Sequence, residues 1–122
     1  AEDYLETILM LTQRMGRVRS IDVVNELGYT KASVSIAMKK LRENGYIAVD
    51  GEGNLTLLEP GREIAERIYS RHRLLTHFFV QLGVDEEVAA EDACKAEHIL
   101  SEQTLEKIRE YALLHDAQDS VK

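Results

Sequence analysis

Two short amphipathic helices joined by a tight glycine turn are the feature that most constrains what this chain can fold into. Apolar residues recur at helical spacing on both sides of Gly28, and a glycine in this position ends a helix. Ser20 is the predicted N-cap of the first helix and Thr30 that of the second, which closes at Asn44. An amphipathic helix over residues 2–15 precedes the pair. The three helices together predict a helix-turn-helix.

The segment that follows has β character. Two short runs rich in strand-forming residues, 46–49 and 55–58, flank a loop with two glycines, which is typical of a β-hairpin. A helix-turn-helix followed at once by a hairpin is a winged helix. Residues 1–60 are therefore predicted to form a winged helix-turn-helix domain.

Helical periodicity dominates the rest of the chain. Apolar positions predict a long helix that ends at Gly83, a second that starts at Asp85 and runs through Ile99, and a third capped by Ser101. Residues 61–122 are therefore predicted to form a helical domain, and the predicted fold class is mainly α. Several large apolar side chains exceed what one short helical domain can bury, which predicts a homodimer. These side chains are Phe78, Phe79, Leu82, Leu105, Ile108 and Leu113.

The composition narrows the class of protein further. With 44% hydrophobic and 30% charged residues among 122, the chain has the balance of a folded domain rather than of a disordered segment. The single cysteine, Cys94, excludes an intramolecular disulfide and favours a reducing compartment. No apolar run reaches the ~18–20 residues of a membrane helix, and no secretory signal opens the sequence. These features predict a cytoplasmic protein without a membrane partner.

The distribution of charge favours a nucleic-acid partner, although the net charge of −7 does not. Residues 14–45 contain seven basic and three acidic side chains, a local excess of +4. We expect the second helix of the pair to bind double-stranded DNA through small hydroxyl residues in its first turn and through lysines further along. The predicted DNA-binding residues are Thr30, Lys31, Ala32, Ser33, Ser35, Ile36, Lys39 and Lys40. The alternative is a protein-interaction module in which these lysines are merely solvated.

A second set of residues has the chemistry of a metal site. Cys94, Glu97 and His98 are three and four residues apart, which places them on one face of the predicted helix. Taken alone, such a triad is more often a small buried cysteine beside two surface groups. Three further candidate donors occur upstream on other predicted helices: Asp3, Glu6 and His72. None of the six has the spacing of a zinc finger.

The order of these motifs resembles the DtxR/MntR family of iron-dependent repressors and manganese transport regulators. The resemblance covers nearly the whole chain and rests on the winged helix together with four segments. These are Glu2-Asp3-Tyr4-Leu5-Glu6-Thr7-Ile8, Arg71-His72-Arg73-Leu74-Leu75, Gly83-Val84-Asp85-Glu86-Glu87 and Cys94-x-x-Glu97-His98-x-x-Ser101. The family implies a metal-activated homodimeric repressor with a winged helix and a helical dimerisation domain. Members of the iron branch also have an SH3-like domain. The resemblance extends only over the winged helix and the helical domain, so we expect the two-domain form without the SH3-like domain.

The resemblance also implies a ligand set. The donors that match ligands of the manganese branch are Asp3, Glu6 and His72. The donors that match ligands shared by both branches are Glu97 and His98. Cys94 matches the iron branch, because the manganese branch carries a carboxylate at this position. A soft thiolate among hard carboxylates predicts a divalent transition metal cofactor, Fe²⁺ first and Mn²⁺ as the alternative.

A mechanism follows from the placement of the donors. A metal bound between the two domains would fix their orientation and, in a dimer, the spacing of two recognition helices on a palindromic operator. Two other classes stay open: a winged-helix regulator of a non-metal signal, and a hydrolytic metalloenzyme with Glu97 or Glu6 as general base. The sequence contains no His-Glu-x-x-His, nucleophile elbow or phosphate-binding loop. We therefore expect no catalytic residues and no small-molecule substrate.

Overall fold

Six helices and one two-stranded sheet make up the described part of the chain. The computed structural model describes the backbone of residues 2–121 and the side chains of residues 3–116. In chain order the elements are α1 (Glu2–Met15), α2 (Ser20–Leu27), α3 (Lys31–Glu43), β1 (Ile47–Val49), β2 (Leu55–Leu57), α4 (Glu59–Gln81), α5 (Glu86–Ala96) and α6 (Glu102–Val121). The predicted fold class, mainly α with an N-terminal winged helix-turn-helix, is confirmed. Within the described residues, no helix has both the length and the apolar content that a membrane crossing requires.

The elements form two compact units, Ala1–Ile68 and Tyr69–Lys122. The division between them falls inside α4. The boundary predicted after residue 60 concerns the functional domains and stays a prediction.

The first unit buries one apolar stripe from each of its first three helices. Its fully buried side chains include Leu5 and Ile8 of α1, Val23 of α2 and Val34 of α3. Helices α2 and α3 each turn one face to the core and leave the opposite face in solvent, whereas α1 is buried without interruption from Leu5 to Leu9. This arrangement leaves the outer face of α3 open.

The predicted N-cap residue is correct for α3 and wrong for α2. Thr30 caps α3 as predicted, since its Oγ1 accepts a hydrogen bond from the backbone N–H of Ser33 at 3.1 Å. Ser20 was the predicted cap of α2, and this prediction is wrong, because α2 begins at Ser20 itself and Arg19 is the N-cap. The backbone N–H of Arg19 donates to the Asp22 carboxylate at 2.9 Å, and a charged acceptor fixes this start.

The wing is tied to the start of α2. Strands β1 and β2 are antiparallel, with Ile47 opposite Leu57. The backbone N–H of Leu55 donates to the carbonyl of Val18 at 2.7 Å, and an isolated bridge joins Arg19 to the wing. The hairpin and the N-terminus of α2 are therefore held side by side.

A glycine allows α4 to begin directly against the wing. The carbonyl of Tyr46 accepts a hydrogen bond from the backbone N–H of Leu58 at 2.9 Å. A Cβ atom at Gly61 would overlap this same carbonyl oxygen. Only a residue without a side chain permits this approach of helix to strand.

The second unit has a small core of its own. Leu75 of α4, Ala93 of α5 and Leu105 of α6 are buried together. Ser101 caps α6 as predicted, because its Oγ accepts from the backbone N–H of Thr104 at 3.2 Å. Helices α4, α5 and α6 thus each contribute one residue to this core, and α4 and the end of α5 also contain candidate metal donors.

Candidate metal centre and nucleic-acid surface

The cysteine–glutamate–histidine motif lies at the C-terminal end of α5. The prediction of one helix through Ile99 is wrong, because α5 ends at Ala96. Glu97 is the C-cap with helical backbone angles, and its N–H donates to the carbonyl of Ala93 at 3.0 Å. His98 belongs to the turn that follows. The three donors therefore straddle the helix end instead of lining one continuous helical face.

Helix α4 brings a histidine to this helix end. One ligand atom from each of His72, Cys94 and Glu97 lies within 4.8 Å of the others. His72 Nδ1 is 3.7 Å from Glu97 Oε2, and His98 Nε2 is 3.6 Å from Glu97 Oε1. Metal–ligand bonds of ~2.0–2.3 Å place ligand atoms roughly 3–4.5 Å apart. The separation of His72 and Glu97 lies in this range and the 4.8 Å bound on the cluster is just above it, so a small adjustment of the side chains would let them share one divalent transition metal.

Burial gives the cluster its electrostatic character. Glu97 is only 1% exposed, and a carboxylate at this depth is stabilised by a nearby cation. His72 Nδ1 is buried and has no hydrogen-bond partner among residues 3–116. Burial lowers the pKa of His72, so the imidazole stays neutral near pH 7 and can offer a lone pair to a metal. Because protons compete for the same atoms, metal binding should weaken as the pH falls.

The two donors predicted on α1 belong to the first unit. Glu6 is buried and Asp3 is exposed, and their spacing of three residues places them on one side of α1. Cys94, in the second unit, is exposed, so its thiol is accessible to oxidants as well as to metal. The six predicted donors thus divide into two in the first unit and four in the second.

The outer face of α3 exposes every residue predicted to contact DNA. The inner face consists of Val34, Met38 and Leu41, which are buried. The exposed set is Thr30, Lys31, Ala32, Ser33, Ser35, Ile36, Lys39 and Lys40. Ile36 is a large apolar side chain left 59% exposed among these hydroxyls and lysines. Such a face has the chemistry to contact both phosphates and base edges.

A depression of about 250 Å³ opens beside this face, where α2, α3 and β1 meet. It is lined by Ser20, Ser35, Met38, Lys39, Arg42 and Val49. Ser20 and Arg42 are not among the predicted contact residues. The sequence holds a signal for Arg42, because it follows Ser35 by seven residues and Lys39 by three, on the same helical face.

The two parts of the chain match two family models. Residues 1–55 match the model described as the N-terminal DNA binding domain of iron dependent repressors. Residues 58–114 match the metal binding and dimerisation domain of iron dependent repressors. The DNA-binding model covers α3, and the metal-binding model covers the His72, Cys94 and Glu97 cluster.

Individual proteins give the same picture. The chain is 36% identical over 110 residues to an HTH-type transcriptional regulator of Methanocaldococcus jannaschii, covering 88% of each chain. It is 32% identical over 121 residues to the HTH-type transcriptional regulator MntR of Bacillus subtilis, covering 99% of this chain and 85% of the relative. A solved manganese-dependent transcriptional repressor in complex with manganese is 27% identical, with a TM-score of 0.83. The match covers 91% of this chain and 51% of that one, so the chain spans about half the length of this solved structure.

Proposed function

Because the chain belongs to the iron dependent repressor family, we propose that it represses transcription in response to iron or manganese by binding an operator as a metal-loaded homodimer. At the level of the family, the chain is a metal-dependent transcriptional repressor of the DtxR/MntR type and not an enzyme. The observation that carries the proposal is the cluster of His72, Cys94 and the buried Glu97 in a chain whose α3 presents an open basic face. We also propose a cytoplasmic location. The alternative, a winged-helix regulator of a non-metal signal, has no comparable support.

The proposed donors act through their chemistry and position. They are Asp3, Glu6, His72, Cys94, Glu97 and His98. Glu97 contributes a buried negative charge and His72 a neutral imidazole, both prepared by burial. A bound metal supplies the positive charge that these donors share.

The donors also suggest how metal and DNA binding are coupled. Asp3 and Glu6 lie on α1, which supports the helix-turn-helix, whereas the other four lie in the second unit. We propose that donors from both units share the metal and so select one orientation of the DNA-binding unit. Metal and DNA then stabilise the same state, and each must tighten binding of the other by the same factor.

A DNA-binding titration tests the proposed function. Binding to operator DNA by the metal-free protein is compared with binding in the presence of Fe²⁺, Mn²⁺, Co²⁺ or Zn²⁺ at one fixed salt concentration. The proposal expects tight binding only with metal. Equal binding with and without every metal would show that the signal is something else.

Cys94 is expected to set metal preference. Several similar solved structures are described as manganese regulators, and these comparisons do not favour iron. The proposal of Fe²⁺, with Mn²⁺ as the alternative, therefore rests on the Cys94 thiol alone. Cys94→Glu replaces a soft donor with a hard one and should shift the activation ratio toward Mn²⁺ by about tenfold or more. The measurement is anaerobic DNA binding at matched free Fe²⁺ and Mn²⁺ concentrations, with Cys94→Ala as the control for loss of the donor. Stronger activation of the unmodified chain by Mn²⁺ than by Fe²⁺, or an unchanged ratio in Cys94→Glu, would contradict the cysteine argument.

The second unit is expected to form a homodimer. Six apolar residues predict it, and one of them, Leu105, is buried. The half-buried ones are Phe78, Phe79 and Ile108, and the exposed ones are Leu82 and Leu113. Leu114 is also 63% exposed. Light scattering at micromolar concentration should give twice the chain mass of 13.8 kDa, with or without metal. Replacing Leu113 and Leu114 with Glu should lower that mass, whereas Ile36→Glu in the first unit should not. A monomer mass for the unmodified chain would overturn the dimer.

A further inference from the structure

The depression between α2, α3 and β1 belongs to the first unit. Three of its lining residues, Ser35, Lys39 and Arg42, come from one face of α3, and Ser20 is the first residue of α2. Val49 of β1 closes the third side. The depression thus joins two cations and two hydroxyls across three elements that the wing holds in place.

The two cations of this depression are unpaired within the part of the chain whose side chains the structure describes. Neither Lys39 nor Arg42 is a member of any ion pair among residues 3–116. Elsewhere in the first unit, Arg14 pairs with Glu26 at 3.1 Å, and Arg62 pairs with an acidic residue on its own helix. Two cations left facing one open depression attract an anion from solution.

The lining chemistry selects an oxyanion. A guanidinium donates two parallel hydrogen bonds to a phosphate, an ammonium adds a point charge, and serine hydroxyls donate to the remaining oxygens. The depression of about 250 Å³ has room for a phosphate group with a few bridging waters. Ser35 and Lys39 belong both to the depression and to the exposed face of α3. A polyanion lying along that face therefore passes directly over the depression.

We propose that this depression is a phosphate site that holds one backbone phosphate of double-stranded DNA. Lys39 and Arg42 bind the same phosphate, and Ser20 and Ser35 donate hydrogen bonds to it. The site rests on the proposed DNA-binding function and adds Ser20 and Arg42 to the contact surface. It fixes the register of α3 on the duplex without reading sequence, since phosphate contacts position a protein and base contacts specify the site.

The salt dependence of DNA binding tests whether the two cations share a phosphate. The probe is a mixed-sequence duplex of about 24 base pairs, bound by the full chain loaded with Mn²⁺ over a range of salt concentrations. Lys39→Ala and Arg42→Ala should each weaken binding about tenfold, irrespective of sequence. The double variant should lower the salt slope by about one phosphate per subunit, because only one phosphate is lost. The control is Lys107→Ala with Arg109→Ala, which removes the same charges from residues paired on α6 and should leave the slope unchanged.

The outcomes separate this site from the proposed function. A slope loss of about two phosphates per subunit in the double variant means two separate contacts and overturns the shared site. An unchanged slope and affinity in the double variant overturn the site while DNA binding stands. Another outcome is that inorganic phosphate binds instead of DNA. In that case the unmodified chain melts at a higher temperature in phosphate than in chloride at equal ionic strength, and the double variant does not. If the double variant also shows no change of slope on DNA, the depression binds free phosphate and the proposal is overturned. Failure of the unmodified chain to bind operator DNA with any of the four metals refutes the proposed function itself.

Discussion

Glu97→Gln is expected to lower the affinity for the activating metal by more than about 100-fold and to remove metal-dependent DNA binding with it. The carboxylate of Glu97 is buried, and its two oxygens lie 3.7 Å from His72 Nδ1 and 3.6 Å from His98 Nε2. It is thus the member of the cluster that reaches two other donors at once. The amide keeps the shape of the side chain but removes the negative charge that a divalent metal requires.

The stability of the metal-free protein distinguishes loss of a ligand from loss of the fold. Glutamine keeps the size and much of the hydrogen-bonding capacity of glutamate, so the metal-free Glu97→Gln protein should still unfold in a single cooperative transition. Metal should raise the melting temperature of the unmodified chain and not that of the variant. Glu91→Gln makes the same exchange at an exposed position of α5 and should behave like the unmodified chain. A metal-dependent rise that survives in Glu97→Gln would remove Glu97 from the site.

The fold was predictable where local chemistry decides it. The Thr30 hydroxyl caps α3 through Ser33, three residues on, and this spacing is visible in the sequence. The start of α2 was missed because serine is a preferred N-cap residue, whereas the carboxylate of Asp22 accepts from the backbone N–H of Arg19 and places the cap one residue earlier. The end of α5 at Ala96 was missed for another reason. No glycine or proline marks it, and the following residues are all compatible with a helix.

The candidate site was predictable in its residues and not in its geometry. Spacing grouped Cys94 with Glu97, but His72 lies 22 residues before Cys94, so it was predicted only as a further donor on a separate helix. The packing of α4 against α5 brings it to the cluster, and no local pattern encodes that distance. Arg42 lies in the basic segment of the sequence but near the end of α3, away from the first turn in which small hydroxyl residues favoured DNA contact. Its role depends on Ser20 and Val49, which reach the same depression from other elements.

Ile36→Glu should reduce DNA binding by more than about 100-fold while leaving the fold intact. Ile36 is 59% exposed on the outer face of α3, between the hydroxyls of its first turn and the lysines further along. A carboxylate there is placed against the phosphates and the acceptor-rich base edges of the groove, and like charges brought together cost several kcal/mol. Glutamate is at least as good a helix former as isoleucine, so α3 itself should not be weakened.

The neutral variant Ile36→Gln separates the effect of charge from that of a lost apolar contact. Glutamine has nearly the length of glutamate and no charge, so its binding should fall by less than about tenfold, the range of one lost apolar contact. Fluorescence anisotropy with a labelled duplex gives both affinities, and circular dichroism with a melting curve verifies the fold of each variant. Equal losses in the two variants would mean that the side chain is needed for packing and not for its place opposite DNA. Unchanged binding in both would move the DNA-reading face away from Ile36. Because the inner face of α3 is committed to the core through Val34 and Met38, the groove would then have to be read by the other exposed residues of the helix.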